Sequence, residues 1–187
     1  MNAANKLTLA RVIMIPFFLF FLLNRKEIIP FYIPAIEEYS KWIALLIFAL
    51  ASITDALDGK IARKYNMITN FGKFMDPLAD KLLVNLALIG LLILGKVNPW
   101  LVMLIIGRDF IISGFRLVAA EKGVVIAAGV WGKVKTAAQM IMIIFLIADI
   151  EQIKVVGFVL QWVVCILTVV SLIDYLVKNR SVLKEEK

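Results

Sequence analysis

Asp55, Asp58, Asp76 and Asp80 stand in one polar stretch, DALDGKIARKYNMITNFGKFMDPLAD, wedged between two long apolar ones. Positions 55, 58 and 62 follow an i, i+3, i+7 pattern and positions 72, 76 and 80 an i, i+4, i+8 pattern, so each set shares one helical face. If the flanking apolar runs are helices, the first carries two acids near its end and the second carries two near its beginning. A short turn then gathers all four. Carboxylates this dense repel one another, and bringing each toward hydrocarbon costs about 3 kcal/mol even on the cautious scale, so they need compensation. Divalent cations supply it. Hard oxygen ligands, with no His in the chain and one Cys, favour Mg²⁺ or Mn²⁺ over zinc or copper. Such ions commonly serve phosphate chemistry. Gly59 and Gly72 lie on or beside the acidic faces, where a missing side chain lets a bulky ligand approach the backbone. Ala62 extends that small surface and Arg63 adds a cation. The plainer reading of the four acids is a set of membrane-edge charges solvated by headgroups.

Composition decides the setting. Of 187 residues, 62% are apolar, far above the share of a soluble domain, which makes this a membrane protein. The absence of His excludes a Ser-His-Asp triad, His-ligated zinc and an imidazole base. Cys165 is alone, so no intrachain disulfide is possible, and it reads as a packing residue. The net charge of +7 comes from cations dispersed between apolar runs, which points to anionic membrane lipids and not to nucleic acid.

The expected fold is all-α, with six transmembrane helices of about 20 residues each in a single domain, residues 1–187. The first 26 residues begin like a secretory signal but lack small residues for cleavage before Asn24, so the segment reads as retained. A short polar segment with Asn5, Lys6, Thr8 and Arg11 is expected along the interface, and the first span to start near Leu7 and end at Leu23. Residues 24–41 read as an ordered or partly helical connection. The second span runs from about Trp42 to Thr54 and continues to Ala62; the third from Phe71 to Leu94. The others cover Trp100 to Ala120, Trp131 to Ala148 and Ile153 to Val177. Lys and Arg concentrate near both termini, around 60–73 and around 122–135, so both termini and the acidic motif are expected on the cytoplasmic side.

A second polar cluster lies in the fourth and fifth spans, with Arg108, Asp109, Ser113 and Arg116 in GRDFIISGFR and Lys133, Lys135, Thr136 and Gln139 in GKVKTAAQ. Arg108 and Asp109 form either a structural ion pair or part of a site. Arg116, Lys133 and Lys135 either snorkel to the interface or converge on a second anion, which Arg grips bidentately and Lys meets as a compact charge.

The string D-x2-D-G-x2-A-R-x8-G-x3-D-x3-D, read from Asp55 to Asp80, resembles the signature of the CDP-alcohol phosphotransferase family at every fixed position. The stretch from Gly107 to Met140 resembles the family's bacterial phosphatidylglycerophosphate synthases, with Asp109 where Glu is more usual. Together the resemblances cover about residues 1–140. They imply a homodimeric enzyme of the bacterial cell membrane that displaces CMP from CDP-diacylglycerol using two metal ions, Mg²⁺ or Mn²⁺. Asp55, Asp58, Asp76 and Asp80 match the family's metal ligands and Asp80 its general base, with Asp58, Gly59, Ala62, Arg63 and Gly72 toward the CDP-lipid. Arg108, Arg116, Lys133 and Lys135 would hold the phosphate of glycerol 3-phosphate, the acceptor that gains from a basic pocket. Inositol phosphate is the nearest alternative acceptor. A polytopic prenyltransferase would need more spans and separated acidic motifs, and a cation transporter would place its acids near the bilayer midplane.

Overall fold

The structure is a computed structural model that describes residues 3–64, 70–121, 123–124, 126 and 129–180; residues 3–8, 55–64, 70–78 and 80 enter by their place in helices and not by their side chains. Six α-helices account for most of it: α1 (Ala3–Leu22), α2 (Glu37–Lys64), α3 (Asn70–Ile93), α4 (Pro99–Glu121), α5 (Val130–Ala148) and α6 (Lys154–Lys178). Single 3-10 turns at Pro34–Ile36 and Glu151–Ile153 lead into α2 and α6, and no strand occurs among the described residues. The chain divides into two compact units, Met1–Lys96 with Leu146–Asp149, and Val97–Phe145 with Ile150–Lys187.

In the first unit α1 packs on both α2 and α3. Phe18 meets Phe48 at a ring-centroid distance of 5.6 Å, while Arg11 reaches Ala51, so the chain directions of α1 and α2 are opposed. The buried residues repeat at helical spacing: Ile15, Phe18 and Leu22 on α1, Ala44, Phe48 and Ala51 on α2, and Leu83, Ala87 and Leu91 on α3. Gly90 lets α1 approach α3 closely, since a Cβ there would stand 2.6 Å from Leu22 Cδ2. Beyond α1, Asn24 closes the connection to α2. Its Nδ2 donates to the Ile33 carbonyl at 3.2 Å and its Oδ1 accepts the Ile33 N–H at 3.0 Å. That two-way clamp explains why residues 24–41 are ordered although they contain Pro30 and Pro34.

In the second unit α4 packs on α6 through Ile112, Phe115, Ala119 and Tyr175, with Phe115 and Tyr175 edge to face at 5.9 Å. The buried face of α6 reads Gly157, Val164, Thr168, Ser171 and Tyr175, small or hydroxylated for the most part. Thr168 Oγ1 donates to the Val164 carbonyl at 2.6 Å and Ser171 Oγ to that of Thr168 at 3.0 Å, so these hydroxyls are satisfied within the helix. Outward stand Val155, Phe158, Trp162, Ile166, Ile173 and Val177. A helix that hides its small and polar residues and displays large apolar ones is built for hydrocarbon surroundings. Among the described residues, Val130–Ala148 and Glu151–Lys178 are long and apolar enough to cross a membrane, and Leu9–Leu22 and Lys81–Ile93 are shorter apolar runs.

The helices fall within two residues of the expected spans except at the starts of α1 and α2. α1 starts at Ala3 and not near Leu7, because nothing between Ala3 and Leu7 breaks a helix and Asn5, Lys6 and Thr8 simply occupy its first turns. α2 starts at Glu37, five residues before Trp42, since the turn at Pro34 launches it and Glu37 and Glu38 suit a helix N-terminus. Gly90→Ala is expected to lower stability by about 1 kcal/mol, because the clash is with a side-chain end that can shift, and Gly90→Phe by about 3 kcal/mol. Thermal unfolding of the detergent-solubilised protein checks this; equal melting temperatures for all three proteins would mean that α1 and α3 do not approach as closely as described.

Candidate active site

Asp55 and Asp58 ride on the last turns of α2, and Asp76 and Asp80 on the first half of α3. α2 and α3 pack together and are joined by residues 65–69 alone, so the acid-bearing end of one helix leads directly into that of the other. The register keeps each pair on one face, a donor set of carboxylate oxygens that suits a hard divalent cation. The side chains of these acids, like Gly59, Ala62, Arg63 and Gly72, lie outside the described side chains. Among the residues whose side chains are described, which leave out these four acids, no group of three or more His, Cys, Asp or Glu could hold a metal.

One cation is drawn to the approach of this motif. Arg11, 1% exposed, donates through Nε to the Ala51 carbonyl at 3.3 Å, one turn before Asp55. Thr54 Oγ1 donates to the same carbonyl at 2.9 Å. Arg11 is therefore part of the bundle interior and not an interfacial anchor. Sequence alone shows only an Arg at the edge of an apolar run, with no sign of which helix receives it.

In the second unit Asp109 organises the cations. Its Oδ1 accepts Arg108 Nη1 at 2.9 Å and Lys135 Nζ at 3.2 Å, tying α4 to α5. Gly132 makes room for this: a Cβ there would lie 3.3 Å from Arg108 Nη2. The ion pair of Arg108 with Asp109 is thus present, and Lys135 shares it. Lys135 is 1% exposed, and Gln139, one turn further along the same face of α5, is 2% exposed. Arg108 Nε and Gln139 Nε2 are buried donors with no hydrogen-bond partner. Orphaned buried donors are rare and costly, and beside two cations they suit the oxygens of an anion. Gln139 is the residue that spacing could have promoted, four positions after Lys135. Neither of the other two expected anion binders shares the Asp109 carboxylate. Arg116 is exposed and lies over the Tyr175 ring at 5.9 Å, and Lys133 is exposed on α5.

Comparison with known proteins decides the family. The CDP-alcohol phosphatidyltransferase family matches residues 1–170. The chain belongs to that family. A Bacillus subtilis CDP-diacylglycerol–glycerol-3-phosphate 3-phosphatidyltransferase is 42% identical over 98% of this chain and 97% of its own length. A protein of the same name from Shigella flexneri is 38% identical over 99% of this chain and 98% of its own length. A probable phosphatidylglycerophosphate synthase of Mycobacterium tuberculosis is 38% identical over 95% of this chain and 81% of its own length. Members of the CDP-alcohol phosphatidyltransferase family are enzymes, and the acidic string from Asp55 to Asp80 lies well inside the matched region.

Asp109→Asn is expected to cost on the order of 3 kcal/mol, because it leaves the buried Lys135 and the half-buried Arg108 short of their shared carboxylate, whereas Asp109→Glu keeps the charge and stays near wild type. Chemical or thermal unfolding in detergent tells the two apart. An asparagine variant as stable as wild type would remove Asp109 from its organising role.

Proposed function

We propose that this chain transfers the phosphatidyl group of CDP-diacylglycerol to glycerol 3-phosphate, releasing CMP and leaving phosphatidylglycerophosphate in the membrane. The observation that carries this reading is the likeness, over nearly the full chain, to relatives that bear the name of that reaction. The chain is read as one domain, since the family match runs through both compact units. It is read as six spans with both termini and the acidic motif on the cytoplasmic side of a bacterial cell membrane, and as a homodimer. The distribution of Lys and Arg supports the orientation.

Asp55, Asp58, Asp76 and Asp80 would hold two divalent ions, Mg²⁺ or Mn²⁺, which when bound supply positive charge against the donor's pyrophosphate. Asp58, Gly59, Ala62, Arg63 and Gly72 border the CDP-lipid, with the small residues leaving room for the nucleotide. Arg108 and Lys135 hold the acceptor phosphate, Asp109 keeps them in place, and the free donor of Gln139 completes the set. Arg116 and Lys133 remain candidates for the same phosphate from more exposed positions. The acceptor's primary hydroxyl oxygen bonds to the phosphorus on the lipid side of the pyrophosphate, the bond from that phosphorus to the CMP oxygen breaks, and Asp80 takes the hydroxyl proton. Holding hydroxyl and phosphorus in contact is worth several kcal/mol, on the order of 7 in well-oriented systems.

The basic group on α4 and α5 favours glycerol 3-phosphate over a cationic or neutral alcohol, and inositol phosphate is the second acceptor worth testing for the same reason. With purified protein, CDP-diacylglycerol and Mg²⁺ or Mn²⁺, CMP release is expected with glycerol 3-phosphate and to vanish on chelation. Release with inositol phosphate alone would overturn the acceptor. Transport of Mg²⁺ into vesicles without any CDP-lipid would replace the enzyme by a transporter. Asp80→Asn is expected to bind the donor but lose turnover by about a hundredfold or more; wild-type rates in that variant would take Asp80 out of the proton transfer.

A further inference from the structure

The end of the first unit away from the acidic motif carries a second collection of charges that the reaction does not use. A pocket of about 110 Å³ lies there among the end of α1, the start of α2 and the residues after α3, bordered by Arg25, Lys41, Lys96, Glu37, Asn24 and Ser40. From Lys41 to Asp55 along α2, and from Asp80 to Ile93 along α3, the separation is about 20 Å. Two helices thus place pocket and acids at opposite ends of one bundle.

The pocket holds more positive than negative charge. Lys96 pairs with Asp149 at 3.0 Å, and its side chain is 15% exposed. Burial lowers the pKa of Lys96 from the usual lysine value; Asp149 opposes that, while the charges of Arg25 and Lys41 add to it, so Lys96 lies in the field of both. The Glu37 carboxylate accepts the Tyr32 hydroxyl. Neither Arg25 nor Lys41 forms a salt bridge to a carboxylate among the described residues; Lys41 lies over the Trp42 ring at 5.2 Å. The pocket lining itself carries three cations and one carboxylate, Glu37; Asp149 answers Lys96 from beside it, and Glu27 acts on the Tyr32 hydroxyl nearby. Asn24 and Ser40 are both buried and fixed by backbone partners, so the pocket is bounded by held side chains and is not a gap between mobile ones.

We propose that Arg25, Lys41 and Lys96 form a binding site for the phosphodiester headgroup of an anionic phospholipid in the leaflet opposite the active site. A phosphodiester anion suits a lining in which cations outnumber carboxylates, and its acyl chains distinguish it from a free phosphate. The apolar residues around the pocket, Leu22, Leu94 and Ile147, continue into the helices along which an acyl chain would lie. The leaflet assignment rests on the six-span reading; the charge match does not.

The test uses the full-length protein in neutral detergent and follows its melting temperature as phosphatidylglycerol, phosphatidylcholine or inorganic phosphate is added. Phosphatidylglycerol is expected to raise it by about 5 °C at saturation, the other two by little. The double variant Arg25→Gln, Lys41→Gln is expected to lose that rise, and Arg25→Lys, Lys41→Arg to keep it. An equal rise in the glutamine variant overturns the site, and an equal rise with inorganic phosphate overturns the lipid assignment. The shift is read without substrate, so it stands or falls separately from CMP release, which both variants should retain.

Discussion

The cost of placing charge in hydrocarbon governs how this chain is built. Each ionised group taken away from water must find a counter-charge, a hydrogen-bonding partner or a helix end near the headgroups. The interior charges follow that rule closely. Arg11 turns its guanidinium to the backbone of α2, and Asp109 gathers Arg108 and Lys135 between α4 and α5. Lys96 meets Asp149 just beyond the helices. The acidic motif obeys it differently, with like charges concentrated at two helix ends, an arrangement that becomes favourable when cations join it.

That difference explains which parts were legible in the sequence. Helix extents follow from apolar runs and turn residues, and α3 through α6 begin and end within one residue of the expected limits. The acidic motif was legible because its chemistry is carried by local spacing along two consecutive helices. Partnerships between distant segments were not. Nothing in GRDFIISGFR states that Asp109 will face Lys135, 26 positions later, or that Gly132 will clear space for Arg108. The Asn24 clamp was hidden for the same reason, since a single amide closing a proline-containing connection leaves no periodic trace. The contact of Arg116 with the Tyr175 ring was equally hidden, since grouping cations along the sequence does not show which ring a guanidinium will meet.

The interior of α6 adds a physical reason for the least informative part of the sequence. Its buried face needs only small residues and self-satisfied hydroxyls to let α4 approach, and its outer face needs only bulk and apolarity. Many sequences meet both conditions, so the helix carries little that identifies the protein. Information is dense where charge must be managed and sparse where hydrocarbon meets hydrocarbon.

The length of α2 links these constraints to function. At 28 residues it extends about 42 Å, against a hydrocarbon core of about 30 Å, so on the proposed six-span reading its two ends reach the two headgroup layers. A lipid donor poses the matching demand, since its acyl chains stay in the bilayer while its pyrophosphate must reach polar surroundings. On that reading, a helix that overshoots the core delivers its carboxylates to the depth where such a pyrophosphate lies. Shortening α2 by one turn between Lys41 and Asp55 would draw the acids about 5 Å back toward hydrocarbon, where their charge is least tolerated and the donor's headgroup does not reach.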